Sequence, residues 1–226
     1  MNILSAGAVE PGLFAALALY EKQGGARPAV TFNTAPQVRG RIAGGETFDV
    51  VIVPPALMDA FAAEGRVDAQ RVVLGAVGQG LAVRAGTPAP EVATLEAMMR
   101  ALRESERVVF NRATGGQYIE AMLRKIGLYA ELEGKTVRYD SAGEVMRHLA
   151  AGAGCEIGFG PITEIRLYTE RGVRYLGPLP SEVQQRNTYV ASRMRDARDA
   201  QGAAALLEFL ATPPARAALA AGGVEP

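Results

Sequence analysis

The residues best suited to chemistry run Arg107-Val108-Val109-Phe110-Asn111-Arg112-Ala113-Thr114-Gly115-Gly116-Gln117. An apolar strand leads through a glycine-containing loop into a helix whose Ile119, Met122, Leu123 and Ile126 recur at helical spacing. A helix start carries N–H groups without intrahelical partners and the positive end of the helix dipole, so it can hold a carboxylate or an oxyanion. Gly115 and Gly116 allow a ligand close to the main chain, and Arg112 adds a cationic fork. The same residues also fit an ordinary strand-to-helix turn.

The rest of the composition points away from other chemistries. The 226 residues include 24 basic and 24 acidic ones, a formal net charge of zero. That balance argues against a nucleic-acid surface and against a polybasic membrane anchor, and favours a small uncharged or anionic partner. Cys155 is the only cysteine, so neither an internal disulfide nor a cysteine-rich metal site is available, and a small buried hydrophobe is the expected role. Gly75-Ala76-Val77-Gly78-Gln79-Gly80 lacks dinucleotide-loop spacing, and no P-loop occurs; no metal and no cofactor is expected. His148, the only histidine, is expected on a helix as a solvated or half-buried residue. The Arg193, Arg195 and Arg198 cluster is offset by Asp196 and Asp199.

These residues need a scaffold, and the pattern is α/β. Short apolar strands alternate with helices: Ile3-Leu4 before a helix with Pro11 at its start, Val30 to Phe32 before a helix carrying Val38 and Ile42, and Phe48 to Val53 before Leu57 and Phe61. Further on come a strand from Gln79 to Arg84, a helix capped by Thr94, and a strand at 136–139. A Ser141/Glu144 capping box follows, then strands at 156–160, 173–176 and 188–191, and two Ala-rich helices. Alternation of this kind implies mostly parallel sheets with ligands at the carboxyl ends of the strands. Loops at such ends carry Ser5 to Ala8, Asn33 to Ala35, Arg112 to Gly116, and Gly160 to Glu164. Met1 leads directly into the first strand without a basic n-region or separate apolar h-region, and no run approaches the ~20 apolar residues that span a bilayer. The expected compartment is the cytoplasm for the chain as it stands, or the periplasm if an export signal has been removed.

Ser5-Ala6-Gly7-Ala8, Ile42-Ala43-Gly44-Gly45-Glu46 before Phe48-Asp49-Val50-Val51-Ile52, Ala113-Thr114-Gly115-Gly116, Ala151-Gly152 before Glu156-Ile157-Gly158-Phe159, and Gly177-Pro178-Leu179-Pro180 follow a recognisable order. That order resembles the type II periplasmic-binding-protein fold in its molybdate-binding-protein-like branch, the substrate-binding family of ABC transporters. The resemblance implies two α/β lobes, 1–80 plus 187–226 and 81–186, with crossovers near 78–84 and 184–187 and the ligand in a cleft between the lobes. The candidate ligand set is Ser5, Gly7, Ala8, Thr34, Ala35, Arg112, Thr114, Gly115, Gly116, Pro161 and Thr163, within which the resemblance implies oxyanion contacts at Ser5, at Thr34 or Ala35, and at Thr114 with Gly115. The sequence departs from the molybdate pattern at Gly160-Pro161, where a backbone N–H and a tyrosine hydroxyl are expected and proline offers neither. The expected function is binding of a small carboxylate or oxyanion, with an ABC permease as partner if the chain is exported. The alternative is an isomerase resembling aconitate isomerase, in which Glu164 serves as base and Arg112 with the glycine amides serves as donors. A competing role for Glu164 is that of a first-turn helix residue favoured by the dipole.

Overall fold

A computed structural model describes residues 1–226, which divide into two compact units: Met1–Val77 with Asn187–Pro226, and Gly78–Arg186. The chain runs β1 (Asn2–Ala6), α1 (Glu10–Lys22), β2 (Ala29–Asn33), α2 (Ala35–Ala43), β3 (Val50–Val53), α3 (Pro55–Ala63) and β4 (Val72–Arg84). Next come α4 (Leu95–Glu104), β5 (Arg107–Asn111), α5 (Thr114–Lys125), α6 (Tyr129–Leu132), β6 (Thr136–Tyr139), α7 (Ala142–Ala151), β7 (Glu156–Pro161), α8 (Ile162–Leu167) and β8 (Val173–Pro178). β9 (Arg186–Arg193), α9 (Ala200–Leu210) and α10 (Pro213–Ala221) complete it.

In the first unit β1 lies between β2 and β3, parallel to both, and β9 pairs antiparallel with β3. Successive side chains of a strand leave on opposite faces, so an apolar run feeds two cores. Ile3, Val50 and Ile52 pack with Leu13, Leu206 and Leu219 on one face. Leu4, Val51 and Val53 pack with Val38, Ile42, Met58 and Phe61 on the other. α1 meets α10 so closely that a Cβ on Gly12 would lie 2.8 Å from the Leu219 carbonyl oxygen, a contact only glycine permits. Buried Asp49 ties the unit's ends together, accepting hydrogen bonds from the Asn2 N–H at 2.6 Å and the Asp199 N–H at 2.8 Å. Burial alone would raise its carboxyl pKa, but the backbone donors prevail and hold it below the usual range.

The second unit repeats this design. β5 lies between β6 and β7, parallel to both, and β4 pairs antiparallel with β7 and with β8. Val108 and Phe110 join Met98, Leu102, Ile119 and Leu123 on one face. Val109 turns to the other, with Val145, Met146, Leu149 and Ile165.

Two elements differ from the sequence expectation. β4 begins at Val72 and not at Gln79, because Gly75 and Gly78 weaken the alternation while long-range pairing sustains the strand. β8 continues through Gly177 and Pro178, with Pro178 opposite Gly80 on a strand that pairs only with β4.

Candidate functional site

Parallel β5 and β7 both deliver their carboxyl ends to one edge of the second unit's sheet, so the loops into α5 and α8 open on the same side. Gln79 of β4 is paired with Pro161 at the end of β7 and reaches that edge too.

At the start of α5 the two glycines have different roles. Asn111, buried at the end of β5, turns its carboxamide oxygen back to accept from the Ala113 N–H at 2.9 Å and the Gly116 N–H at 3.2 Å. A Cβ on Gly116 would sit 1.7 Å from the Asn111 carbonyl oxygen. Gly116 is therefore a packing glycine whose amide is committed to Asn111. Thr114 and Gly115, the first two helical residues, keep amides that have no intrahelical partner. No acidic side chain occupies this first turn.

Arg138 of β6 braces the loop from below. Its guanidinium donates to the Asn111 carbonyl oxygen at 3.2 Å and to Glu120 of α5, and lies over the Phe110 ring at 4.8 Å. Arg112 points elsewhere: its Nη1 is 3.3 Å from Asp140 Oδ1 in an exposed ion pair, which contributes little and leaves the guanidinium easily redirected.

Gln79 is a residue that the sequence reading had not selected. It is 1% exposed, and its carboxamide atoms lie 3.3 to 3.6 Å from where a Cβ on Gly115 would be. Helical Cβ bonds tilt toward the N-terminus, so this side chain sits by the open end of α5. Only its position within an apolar strand could have drawn attention to it. Pro161 flanks it across the strand pair, and Thr163 is buried in the first turn of α8.

Glu164 is half-buried and packs toward α7. Its Oε1 lies 3.4 Å from a Cβ position on Gly143, a point that also has the Tyr168 hydroxyl at 3.1 Å and Arg147 Nη1 at 3.5 Å. That setting matches a carboxylate placed at a helix start.

In the first unit, β1 and β2 run parallel with Ala6 opposite Asn33, so their following loops share an edge. Ser5 is buried and its hydroxyl donates to the Ala6 carbonyl at 3.1 Å; a Cβ on Gly7 would meet nothing within 4 Å, and Ala8 is buried beside it. Thr34 caps α2, its N–H donating to Gln37 Oε1 at 2.9 Å, and Ala35 begins the helix half-buried.

One expectation about a lone residue changes. Cys155 is exposed, because it falls in the loop before β7 instead of in a packed element. His148 is half-buried as expected, with Nδ1 2.7 Å from the Tyr139 hydroxyl. Its Nε2 is 2.9 Å from Glu156 Oε2, close enough for an ion pair but without the direction of a hydrogen bond.

No helix is long and apolar enough to cross a membrane. Among solved structures, the fold is similar to the periplasmic molybdate-binding protein of Azotobacter vinelandii, with a TM-score of 0.81 and 17% identity over 99% of this chain and 97% of that one. It is also similar to the sulfate-binding protein of Mycobacterium tuberculosis H37Rv, with a TM-score of 0.80 and 16% identity over 100% and 86% of the two chains. At these identities the likeness is one of fold, the two-lobed type II periplasmic-binding-protein architecture. In sequence the chain is 24% identical to an aconitate isomerase from Pseudomonas sp. over 100% of its own length and 87% of the relative's. The family model described as bacterial extracellular solute-binding protein matches residues 1–225, and the chain belongs to that family.

Proposed function

We propose that this protein binds a small anion, a carboxylate or an oxyanion, and that the first turn of α5 is its main anchor. The observation that carries this reading is a helix start with unpaired Thr114 and Gly115 amides, no acid of its own, and a neutral carboxamide beside it. Partial positive charge on uncharged donors holds an anion without the desolvation cost of burying a lysine or arginine. In this reading Thr163 and a redirected Arg112 of the same unit complete the donor set. Pro161 contributes shape and no N–H, which favours a carboxylate over molybdate. Solute-binding proteins named for molybdate and sulfate share the fold, and family membership supports delivery to a membrane permease by an exported chain.

Isomerase chemistry is not the favoured reading. It rests on one relative of 24% identity and needs Glu164 as base, whereas that carboxylate packs beside Gly143 and Arg147.

The test is the melting temperature against molybdate, tungstate, sulfate, phosphate, citrate, and cis- and trans-aconitate. Saturation at 100 times Kd adds about 2.7 kcal/mol, or roughly 5–10 °C for a chain of this size. A rise with at least one of these anions is expected, and a flat profile across all of them removes the anion reading.

A further inference from the structure

A cavity of about 170 Å³ opens at the amino end of β7, where Cys155 lies exposed just before the strand. Its walls come from the end of β4, the last turns of α4 and the start of β7, with Val83, Ala101 and Ile157 as apolar lining. Thr87 lines it as well, is 6% exposed, and its Oγ1 has no hydrogen-bond partner. A buried hydroxyl without a partner is unfavourable, and a polar group lodged against it would supply one. The rim is acidic. Glu104, at the end of α4, is exposed and enters no ion pair, and a Cβ on Gly154 would collide with the Glu106 carboxylate. Arg103, Arg107 and Lys135, which border these residues, are committed elsewhere: to Glu131, to Glu156, and to the carbonyl oxygens of Arg103 and Ser105. Because β7 enters the sheet here and leaves it at Pro161, the cavity lies at the opposite edge of the sheet from the α5 start.

We propose that Cys155 and this cavity form a covalent capture site for small cationic aminothiols, filled by exchange with their disulfides. The Cys155 thiolate attacks one sulfur of the incoming disulfide, a Cys155–aminothiol disulfide forms as the original S–S bond breaks, and the departing thiolate takes up the proton that Cys155 gave up. The small disulfide is itself the oxidant and leaves as one thiol. Covalent attachment lets so small a cavity hold its occupant: at ~30 Å³ per water it has room for about five water-sized groups, enough for a two-carbon arm ending in an amine. The ammonium of that arm brings three N–H donors, which meet the Glu104 carboxylate and the Thr87 Oγ1 acceptor. The same acidic rim repels disulfides that carry carboxylates. This site and the anion reading of the α5 start stand independently of one another.

The experiment reads the equilibrium constant for mixed-disulfide formation by intact mass in three matched redox couples. Cystamine with cysteamine is cationic, bis(2-hydroxyethyl) disulfide with 2-mercaptoethanol is neutral, and 3,3′-dithiodipropionate with 3-mercaptopropionate is anionic. The full chain is used as wild type, Cys155→Ser, Glu104→Gln, Thr87→Val and Thr87→Ala, with melting temperatures of the unmodified proteins as the folding control. Wild type should favour the cationic over the neutral adduct about fivefold, the upper worth of an exposed ion pair, with the anionic adduct least stable, and Cys155→Ser should form none. Glu104→Gln and Thr87→Val should each lower the cationic-to-neutral ratio by about twofold or more. Thr87→Val should leave the melting temperature unchanged or higher, since it removes the unpaired hydroxyl. Should that substitution disturb folding, Thr87→Ala carries the same comparison. A wild-type ratio near one, an anionic adduct as stable as the cationic one, or a preference that survives both substitutions overturns the proposal, and Cys155 is then an exposed thiol without a receiving site.

Discussion

α7 begins with an anion of its own. The Glu144 carboxylate accepts from the Ser141 N–H at 2.8 Å and the Asp140 N–H at 3.1 Å, while the Ser141 hydroxyl accepts from the Glu144 N–H at 3.2 Å. α5, in the same unit, begins with Ala113, which has no capping side chain, and with Thr114, Gly115 and Gly116, which carry no charge. Only the inner side of that turn is closed, by the neutral Asn111 carboxamide. The backbone physics of the two starts is identical, so the difference lies in what fills the positive end. A helix that supplies its own carboxylate has spent its capacity for a ligand anion, whereas α5 is finished on its protein side and open on the other.

The two adjacent glycines give the largest break. Gly116→Ala drives a methyl into the Asn111 carbonyl oxygen and should destabilise the second unit by about 3 kcal/mol or more, read by denaturant unfolding. Next in size is Thr114→Glu, which gives α5 the internal acid that α7 possesses. Affinity for the anion identified by the melting panel should fall about 100-fold, roughly 2.7 kcal/mol, with no loss of melting temperature in the unliganded protein. A variant that still binds as wild type would move the anion site away from this helix start.

Gly115→Ala should be smaller and should separate binding from stability. The added methyl meets only the flexible Gln79 side chain at 3.3 Å, so folding is expected to hold or improve slightly, since alanine suits a helix better than glycine. Affinity should drop by about tenfold as the carboxamide is displaced, and calorimetry beside a melting curve reads both. Unchanged affinity would restrict the site to residue 114 and its surroundings.

The smallest effect belongs to α7. Ser141's hydroxyl and N–H hold the Glu144 carboxyl below its usual range. A depressed folded-state value means that the stabilisation is present above the unfolded pKa of about 4.3 and is lost as pH falls through the folded value. Glu144→Gln should therefore cost about 0.5 kcal/mol at neutral pH, the ordinary worth of an exposed carboxylate at a helix start. The gap from wild type should close in acid, and anion affinity should not change. A loss of anion affinity would show that the two helix starts are coupled.

Much of this was legible in the residues. The Ser141/Glu144 box and the Thr94 cap needed only a spacing of three, and the Thr94 hydroxyl does accept from the Ala97 N–H at 3.2 Å. The α5 start stood out because a strand, two glycines and a periodic apolar face are contiguous. The doubly buried strands announced themselves as unbroken apolar runs, and that follows from their feeding two cores. Less could be read where a role depends on a distant partner. Gly115 and Gly116 are equivalent as letters, and they part only because Asn111 folds back onto one and Gln79 lies over the other. Cys155 follows average burial until the loop before β7 places it outside.

By itself the sequence determined the α/β alternation, the caps and the helix start that suits an anion, because each is written within a few residues by backbone geometry, side-chain reach and hydrophobic period. The tertiary structure decided which groups meet there. The antiparallel register of β4 on β7 puts Gln79 opposite Pro161, and β6 beside β5 puts Arg138 under Asn111. Registers of that kind are set by the packing of whole sheets against their helices, a collective property that no local spacing encodes.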